Sequence, residues 1–289
     1  MDRRRLVRLA ALALAAVVAC IALALAWGLH TAWSAPVQRD ATVALPDWPT
    51  DAARLRVALI SDIHIGGTSM SAGRLRRIVN QVNAADPDLI LLAGDFVNGH
   101  GGGLPQAATD LTAPLSGARA RYGVFAVLGN HDYWTDPAGV RAALERAGIV
   151  VLDNRAVQAG PVALVGVSDA FSDHDRLDLA LRSAAGLTGP RVVLTHSPDM
   201  VHDLPPEARL LLAGHTHCGQ VVLPLVGSLA ERSPREGMRH IYDPHYRCGV
   251  IRTPERTVVV TAGIGAGSVP VRIGARPDWW LVTLGPVVP

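Results

Sequence analysis

The chain has 289 residues, 49% of them hydrophobic and 18% charged, with 27 basic and 25 acidic side chains for a net charge of +2. Every basic residue is Arg, which excludes Schiff-base and other lysine-based covalent chemistry. Four arginines and Asp2 ahead of the first apolar run account for +3 of the charge, so the remainder carries −1 and offers no basic footprint for nucleic acid.

Arg3, Arg4, Arg5 and Arg8 precede Leu9 to Leu29, 21 residues without a charge. At about 1.5 Å per residue this run spans roughly 30 Å, the hydrocarbon thickness of a bilayer. Arg39 is the only basic residue from there to Asp51, so the bias places the N-terminus in the cytoplasm and the domain across the membrane. An uncleaved signal anchor is the favoured reading, because secretory h-regions usually run only about 7–15 residues. A cleaved signal peptide would have to use the poor site at Ala32-Trp33-Ser34. Val17-Val18-Ala19-Cys20 is lipobox-like but is followed by ten more apolar residues. The Arg3 to Arg8 stretch is similar to a twin-arginine export motif, with Asp2 where Ser or Thr is usual. The organisation expected is a basic N-terminus (1–8), a transmembrane anchor (9–29), a proline-containing linker or edge segment (30–53) and one catalytic domain (54–289). In that domain, which has about 235 residues, Cys218 and Cys248 could pair only outside the cytoplasm, and their spacing leaves the pairing open.

Leu55 to Ile60 reads as a buried strand ending in Ser61-Asp62. Leu75, Ile78, Val79 and Val82 recur at helical spacing in 72–85, which Pro87 stops. Leu89 to Ala93 is a strand ending at Gly94-Asp95, and 104–115 reads as helix. Val124 to Leu128 leads into Gly129-Asn130. Asp136-Pro137 caps a helix that closes at Gly148. Strands follow at 149–152 and 162–167, a helix at 175–185, then strands at 192–194 and 210–213 that run into Thr195-His196 and Gly214-His215. Late strands are expected at 221–223, 239–242, 257–261 and 280–284. Helix and strand alternate first and strands dominate later, which argues for sheets covered by helices in a layered α/β domain.

Five of these strand ends supply Asp, Asn or His: Asp62-Ile63-His64, Gly94-Asp95, Gly129-Asn130-His131-Asp132, Thr195-His196 and Gly214-His215-Thr216-His217. A strand end lets a side chain protrude while its backbone stays fixed in the sheet. Asp62 and His64, like His215 and His217, are two apart, so on an extended chain both members point the same way and can share one ion. The mixed N/O donor set suits a pair of divalent cations, Mn²⁺, Fe²⁺ or Zn²⁺ rather than Ca²⁺, and a metal pair at strand ends suits phosphate-ester hydrolysis. His100, His174, His202, His240 and His245 have no motif around them.

In this order the segments resemble the calcineurin-like metallophosphoesterase superfamily, from Arg54 to about Leu284. The resemblance implies a four-layer α/β/β/α sandwich of two mixed sheets flanked by helices. It implies one metal held by Asp62, His64, Asp95 and His217, and a second by Asp95, Asn130, His196 and His215, with Asp95 bridging and a hydroxide between the metals as nucleophile. His131 would stabilise the phosphoryl group or protonate the leaving oxygen, and Asp132 would orient His131. The Asp-Arg-Gly of the phosphoprotein phosphatases is missing after Asp95, and position 98 is Asn, where purple acid phosphatases place Tyr. Gly129 to Trp134, His215 to Gln220, Gly263-Ile264-Gly265 and Val269 to Arg272 are similar to the membrane-associated bacterial phosphodiesterase branch of YkuE- and YaeI-type proteins. Many relatives there have Gly at position 218. Arg272 is expected to contact phosphate, or else to form a structural ion pair.

The resemblance thus implies a single-pass inner-membrane phosphoesterase acting on phosphodiester or pyrophosphate bonds. Some members of that branch act on UDP-2,3-diacylglucosamine, a lipid A precursor, which would make the substrate lipid-linked. That substrate is made on the cytoplasmic side, whereas the charge bias points this domain outward. A non-catalytic metal-binding scaffold and an exported phosphatase or nuclease of general specificity are the alternatives. No nucleic-acid partner is expected, and the oligomeric state is not indicated.

Overall fold

In the computed structural model, which describes residues 2–99, 111–229, 231–233, 239–267 and 269–287, the apolar N-terminal run forms one helix, α1 (Arg3–Trp33). The Asp2 side chain caps its first turn by accepting from the Arg4 N–H at 3.2 Å. Strand β1 (Val37–Leu45) follows, then β2 (Leu55–Ile60), α2 (Ala72–Ala84), β3 (Leu89–Ala93), α3 (Thr112–Leu115) and β4 (Val124–Val127). Next come α4 (Asn130–Thr135), α5 (Pro137–Arg146), β5 (Val150–Val151), β6 (Arg155–Ala159), β7 (Val162–Gly166) and α6 (Leu177–Ser183). The last part is mostly strand: β8 (Arg191–Leu194), β9 (Leu210–Ala213), β10 (Val222–Leu223), β11 (Gly227–Ser228), β12 (Arg232–Ser233), β13 (Arg239–His240), β14 (Gly249–Arg252), β15 (Thr257–Val260) and β16 (Asp278–Pro286).

Two six-stranded mixed sheets result, ordered β1-β16-β2-β3-β4-β5 and β14-β15-β9-β8-β7-β6. Strands β2 to β5 are mutually parallel, and so are β7, β8, β9 and β15. The period-two alternation of strand side chains then sorts residues into layers. Val57, Leu59, Leu89 and Leu91 meet Leu164, Val192, Leu194 and Leu210 between the sheets. Ala58, Ile60, Ile90 and Leu92 point the other way, under Ile78, Val79 and Val82 of α2. On the far face Val165, Val193 and Leu211 pack with Ala180 of α6. This is the expected α/β/β/α stack.

Within 30–53, read as a linker or edge segment, residues 37–45 form the edge strand β1, paired in parallel with β16 over its whole length, from Val37 opposite Asp278 to Leu45 opposite Pro286. The strand shows solvent one face, so its sequence carries no apolar run to betray it. Two further edge strands, β6 and β14, escape sequence reading as well. Of the helix expected at 104–115, residues 112–115 are helical and 104–110 lie outside the described residues, as does His100.

Helix α1 also runs past the expected span, and its last turn belongs to the domain. Gly28, Thr31 and Ala32 are buried. The guanidinium of Arg74, on α2, donates to the Ala32 carbonyl at 3.0 Å and to the Ser34 carbonyl at 2.8 Å.

Candidate metal centre

Because β2, β3 and β4 run parallel, as do β8 and β9, their C-terminal ends share one edge of the two-sheet stack. The sheets are tied there through site residues. The Asp62 Oδ2 atom accepts the His215 N–H at 3.1 Å, and the Ala93 carbonyl accepts from His196 Nδ1 at 2.6 Å.

The local backbone differs from the extended chain that the sequence suggests. Asp62, His64, Asp95, His215 and His217 all have positive φ, between 49° and 70°. Each such residue costs about 1–3 kcal/mol. The kinks let Asp62 N–H and His64 N–H donate to the carbonyls of Gly94 and Asp95, both at 3.0 Å, so the β2 and β3 ends stay paired while their side chains turn inward. Two glycines make room. Gly94 has φ +84°, and a Cβ there would sit 2.7 Å from His196 Nδ1. A Cβ on Gly214 would lie 1.9 Å from Ser61 Oγ and 2.6 Å from Asp62 Oδ2.

The inward atoms form two groups around one carboxylate. In the first, His64 Nε2 lies 3.1 Å from His217 Nε2, with Asp62 Oδ1 at 3.9 Å and 3.4 Å from them. In the second, His196 Nε2, His215 Nδ1 and Asn130 Oδ1 stand 3.0 to 3.2 Å apart pairwise. Asp95 Oδ2 sits between the groups, 3.6 Å from His64 Nε2 and 3.3 Å from His196 Nε2. The other Asp95 oxygen, Oδ1, accepts the His131 N–H at 2.9 Å.

This arrangement fits cations. His196 donates Nδ1–H to Ala93 O, and His215 donates Nε2–H to Ile241 O at 3.2 Å. With those protons committed, each ring in its neutral form turns a lone pair toward the other and toward Asn130 Oδ1. Three acceptors facing one another at this spacing repel unless a cation lies among them, and about 3 Å is the ligand–ligand edge expected around an ion bonded at about 2.1 Å. In the first group Asp62 Oδ1 is buried without a hydrogen-bond partner. His217 differs from the other two rings, because Arg272 donates to its Nδ1 at 3.0 Å. Its neutral ring then carries the proton on Nε2, so ligation through Nε2 would move that proton to Nδ1, with Arg272 keeping its carbonyl acceptors at Ala262 and Gly265.

The electrostatics agree. Burial pushes His64 and His215 down to about 3, and burial together with the Arg272 charge holds His217 well below its ordinary value, so these rings stay neutral, the form that ligates metal. His196 differs: burial alone would lower it, but the Asp95 carboxylate raises it well above the usual value, so without metal its Nε2 also carries a proton, which a cation would displace.

Two residues take other places than expected. The Asp132 carboxylate is committed to backbone: its Oδ1 accepts the N–H groups of Phe96 and Val97 at 2.9 and 3.2 Å, and its Oδ2 accepts that of Gly129 at 2.9 Å. It thus ties the loop after β3 to the end of β4. The His131 ring instead donates Nδ1–H to the Gly99 carbonyl at 3.2 Å. Arg272, expected at phosphate or in a structural ion pair, is bonded chiefly to backbone carbonyls. It is fully buried, and besides His217 its guanidinium bonds the carbonyls of Ala262, Gly265 and Ala275.

Three residues near the site escape the sequence reading. Asp169 is fully buried with Oδ1 unpartnered, and its charge couples to His196 and Asp95. Its signal was present: Val167-Ser168-Asp169 after β7 repeats the pattern of Ile60-Ser61-Asp62 after β2. Phe171 stacks 4.7 Å from the His215 ring, and Trp134 lies 5.3 Å from His131 and 6.1 Å from Phe171, giving the cleft an aromatic wall. Cys218, next to His217, is disulfide-bonded to Cys248, a pairing that the sequence left open.

Residues 55–219 match the family described as calcineurin-like phosphoesterase. The chain is 30% identical, over 87% of its length, to a zebrafish (Danio rerio) protein named transmembrane protein with metallophosphoesterase domain, but spans only 58% of that relative. It is 32% identical to phosphodiesterase YaeI of Escherichia coli, covering 81% of this chain and 83% of YaeI. It is 29% identical to the Bacillus subtilis metallophosphoesterase YkoQ, covering 78% and 82%.

Proposed function

The chain belongs to the calcineurin-like phosphoesterase family, and on that premise we propose that it is a membrane-anchored, two-metal phosphoesterase acting on phosphodiester or pyrophosphate bonds. The observation that carries this reading is Asp95 Oδ2, lying between two groups of convergent donor atoms. Asp62, His64 and His217 would hold one divalent cation, Asn130, His196 and His215 the other, and Asp95 both. When bound, such a pair supplies Lewis acidity toward the phosphoryl oxygens and makes water a competent nucleophile near neutral pH.

The protein's own part is positioning and proton transfer. His131 shares a potential ligand cluster with His64 and Asp95, which supports a role for its ring beside the metal positions. Its Nδ1–H bonds Gly99 O, which orients the ring, and we assign to its Nε2 the proton given to the leaving oxygen as the P–O bond breaks. Asp132 holds the 95–97 loop and the start of α4 at fixed spacing, and Arg272 holds the His217 ring. Both are positioning residues.

The Cys218–Cys248 disulfide and the arginine bias of the N-terminus both support a domain outside the cytoplasm, with α1 retained as a single-pass anchor in the inner membrane. An exported domain does not meet a lipid nucleotide made in the cytoplasm, so the UDP-diacylglucosamine reading is the weaker one. The test is turnover by the full chain, stripped of metal and then supplied with Mn²⁺, Fe²⁺ or Zn²⁺, on bis(p-nitrophenyl) phosphate, p-nitrophenyl phosphate and UDP-2,3-diacylglucosamine. Metal-dependent cleavage of the diester above the monoester supports the proposal. Metal binding without turnover of any substrate would favour a scaffold.

A further inference from the structure

Outside α1, the large apolar side chains that the described residues expose are few, and half of them lie in two neighbouring segments: Leu225, Val226 and Leu229 in the β10–β11 hairpin, and Val269. Leu225 is fully exposed at the hairpin tip, and no residue from Val221 to Leu229 is charged. A soluble surface rarely concentrates apolar groups in this way.

Both segments are linked, through residues 269–273, to the end of the membrane helix. Val222 N–H donates to Ile273 O at 2.8 Å, and Gln220 Nε2 donates to Val269 O at 2.7 Å. Arg272 N–H in turn donates to the Gly28 carbonyl of α1 at 2.9 Å. The contact is close: a Cβ on Gly28 would lie 2.6 Å from Val271 Cγ1. Residues 269–273 therefore sit at the level of Gly28, where the uncharged run ends. That level is marked by Trp27 and Trp33, 65% and 61% exposed, the side chains that prefer the headgroup belt. At about 3.4 Å per residue, the hairpin tip can stand no more than roughly 10 Å from Val222. A notch of about 280 Å³ lined by Leu29, His30, Trp33, Thr68 and Pro270 opens at the same height.

We propose that the β10–β11 hairpin and Val269 form a second membrane contact, inserted into the bilayer surface beside α1. The partner is the lipid bilayer itself, and the inference rests on the reading of α1 as a retained span. The contact is continuous with the site. The residue whose N–H bonds Gly28, Arg272, is the one whose guanidinium holds His217. The cleft is thereby fixed at headgroup depth, where a phosphoester carried by a lipid can enter without leaving its leaflet.

The test uses the full chain in nanodiscs of phosphatidylcholine and phosphatidylglycerol. In a Cys20→Ala background with the disulfide intact, NBD is attached at Leu225→Cys, Val269→Cys or, as a control, Leu179→Cys on α6. Lipids bearing a headgroup nitroxide are expected to quench the first two labels at least about threefold more than the third. Equal quenching at all three positions would overturn the proposal. The unmodified chain gives a check free of folding artefacts: amide exchange of 221–229 is expected to slow about tenfold or more in nanodiscs relative to short-chain detergent, and unchanged exchange would contradict membrane contact. Hydrolysis of bis(p-nitrophenyl) phosphate in the same nanodiscs reports on the phosphoesterase reading separately: turnover without quenching refutes only the contact, and quenching without turnover refutes only the chemistry.

Discussion

Asp95 gives one carboxylate oxygen to the backbone of His131, at 2.9 Å, and keeps the other for the space between His64 and His196. One side chain therefore sets the distance between the two halves of the site and also the place of the residue proposed as proton donor. Asp95→Ala should leave the chain folded but fail to hold two cations together, with turnover lower by roughly 10³-fold or more, since several kcal/mol of transition-state stabilisation would go. Metal content by mass spectrometry beside kcat checks this, and a fully active variant would refute the shared-ligand assignment.

His131→Ala keeps the backbone N–H that Asp95 uses. It should bind the same two metals and turn over about 10²–10⁴-fold more slowly. The loss should be smaller for a diester whose leaving group needs no proton, such as p-nitrophenolate. Loss of metal together with activity would show that the ring is a ligand and not a proton donor.

Gly214→Ala probes the tie between the sheets. The added Cβ would meet Ser61 Oγ at 1.9 Å and crowd Asp62 Oδ2. We expect about 1–3 kcal/mol of destabilisation from overpacking. Urea unfolding of the metal-free protein measures it, and an unchanged midpoint would mean that the strand ends are looser than the distances imply.

The Cys218–Cys248 bridge closes a loop of 30 residues' separation, for which chain entropy gives about 3–4 kcal/mol. Reduction, or Cys248→Ser, should lower the thermal midpoint and weaken metal at the His217 side first, because Cys218 is its neighbour in the chain. Equal metal binding in oxidised and reduced protein would limit the bridge to a stabilising role.

Much of this site is legible in the sequence because catalytic atoms at strand ends follow apolar runs such as Leu89 to Ala93, and buried parallel strands advertise themselves. What escapes is what the runs do not encode. The positive φ of Asp62 and His64 arises from pairing with 94–95, a contact more than thirty residues away. Strand β1 is hidden because half of it faces water. Arg272 reads as a phosphate contact because guanidinium pairs well with phosphate oxygens, yet here the carbonyls of Ala262 and Gly265 take its N–H groups. Asp132 looks like an orienter of its neighbour but serves the backbone of Phe96, Val97 and Gly129, which only the fold brings close.

The docked end of α1 gives a fifth variant to test. A chain starting at Ala35 lacks the Ala32 and Ser34 carbonyls that Arg74 uses and the Gly28 carbonyl that Arg272 N–H uses. Hydrogen bonds to a charged donor are worth about 1.5–3 kcal/mol each, so the truncated domain should unfold at lower temperature than the full chain in detergent. Equal stability would mean that the last turn of α1 is dispensable to the domain, and would reopen cleavage near Ser34.

The central claim is that Asp95 joins two metal positions into one hydrolytic centre. The most direct measurement is a titration of the metal-free full chain with Mn²⁺, following bound ions per chain and bis(p-nitrophenyl) phosphate hydrolysis together. The account predicts two ions per chain, with turnover appearing as the second binds. Saturation at one ion with full activity, or at two ions with no activity on any phosphoester, would contradict it.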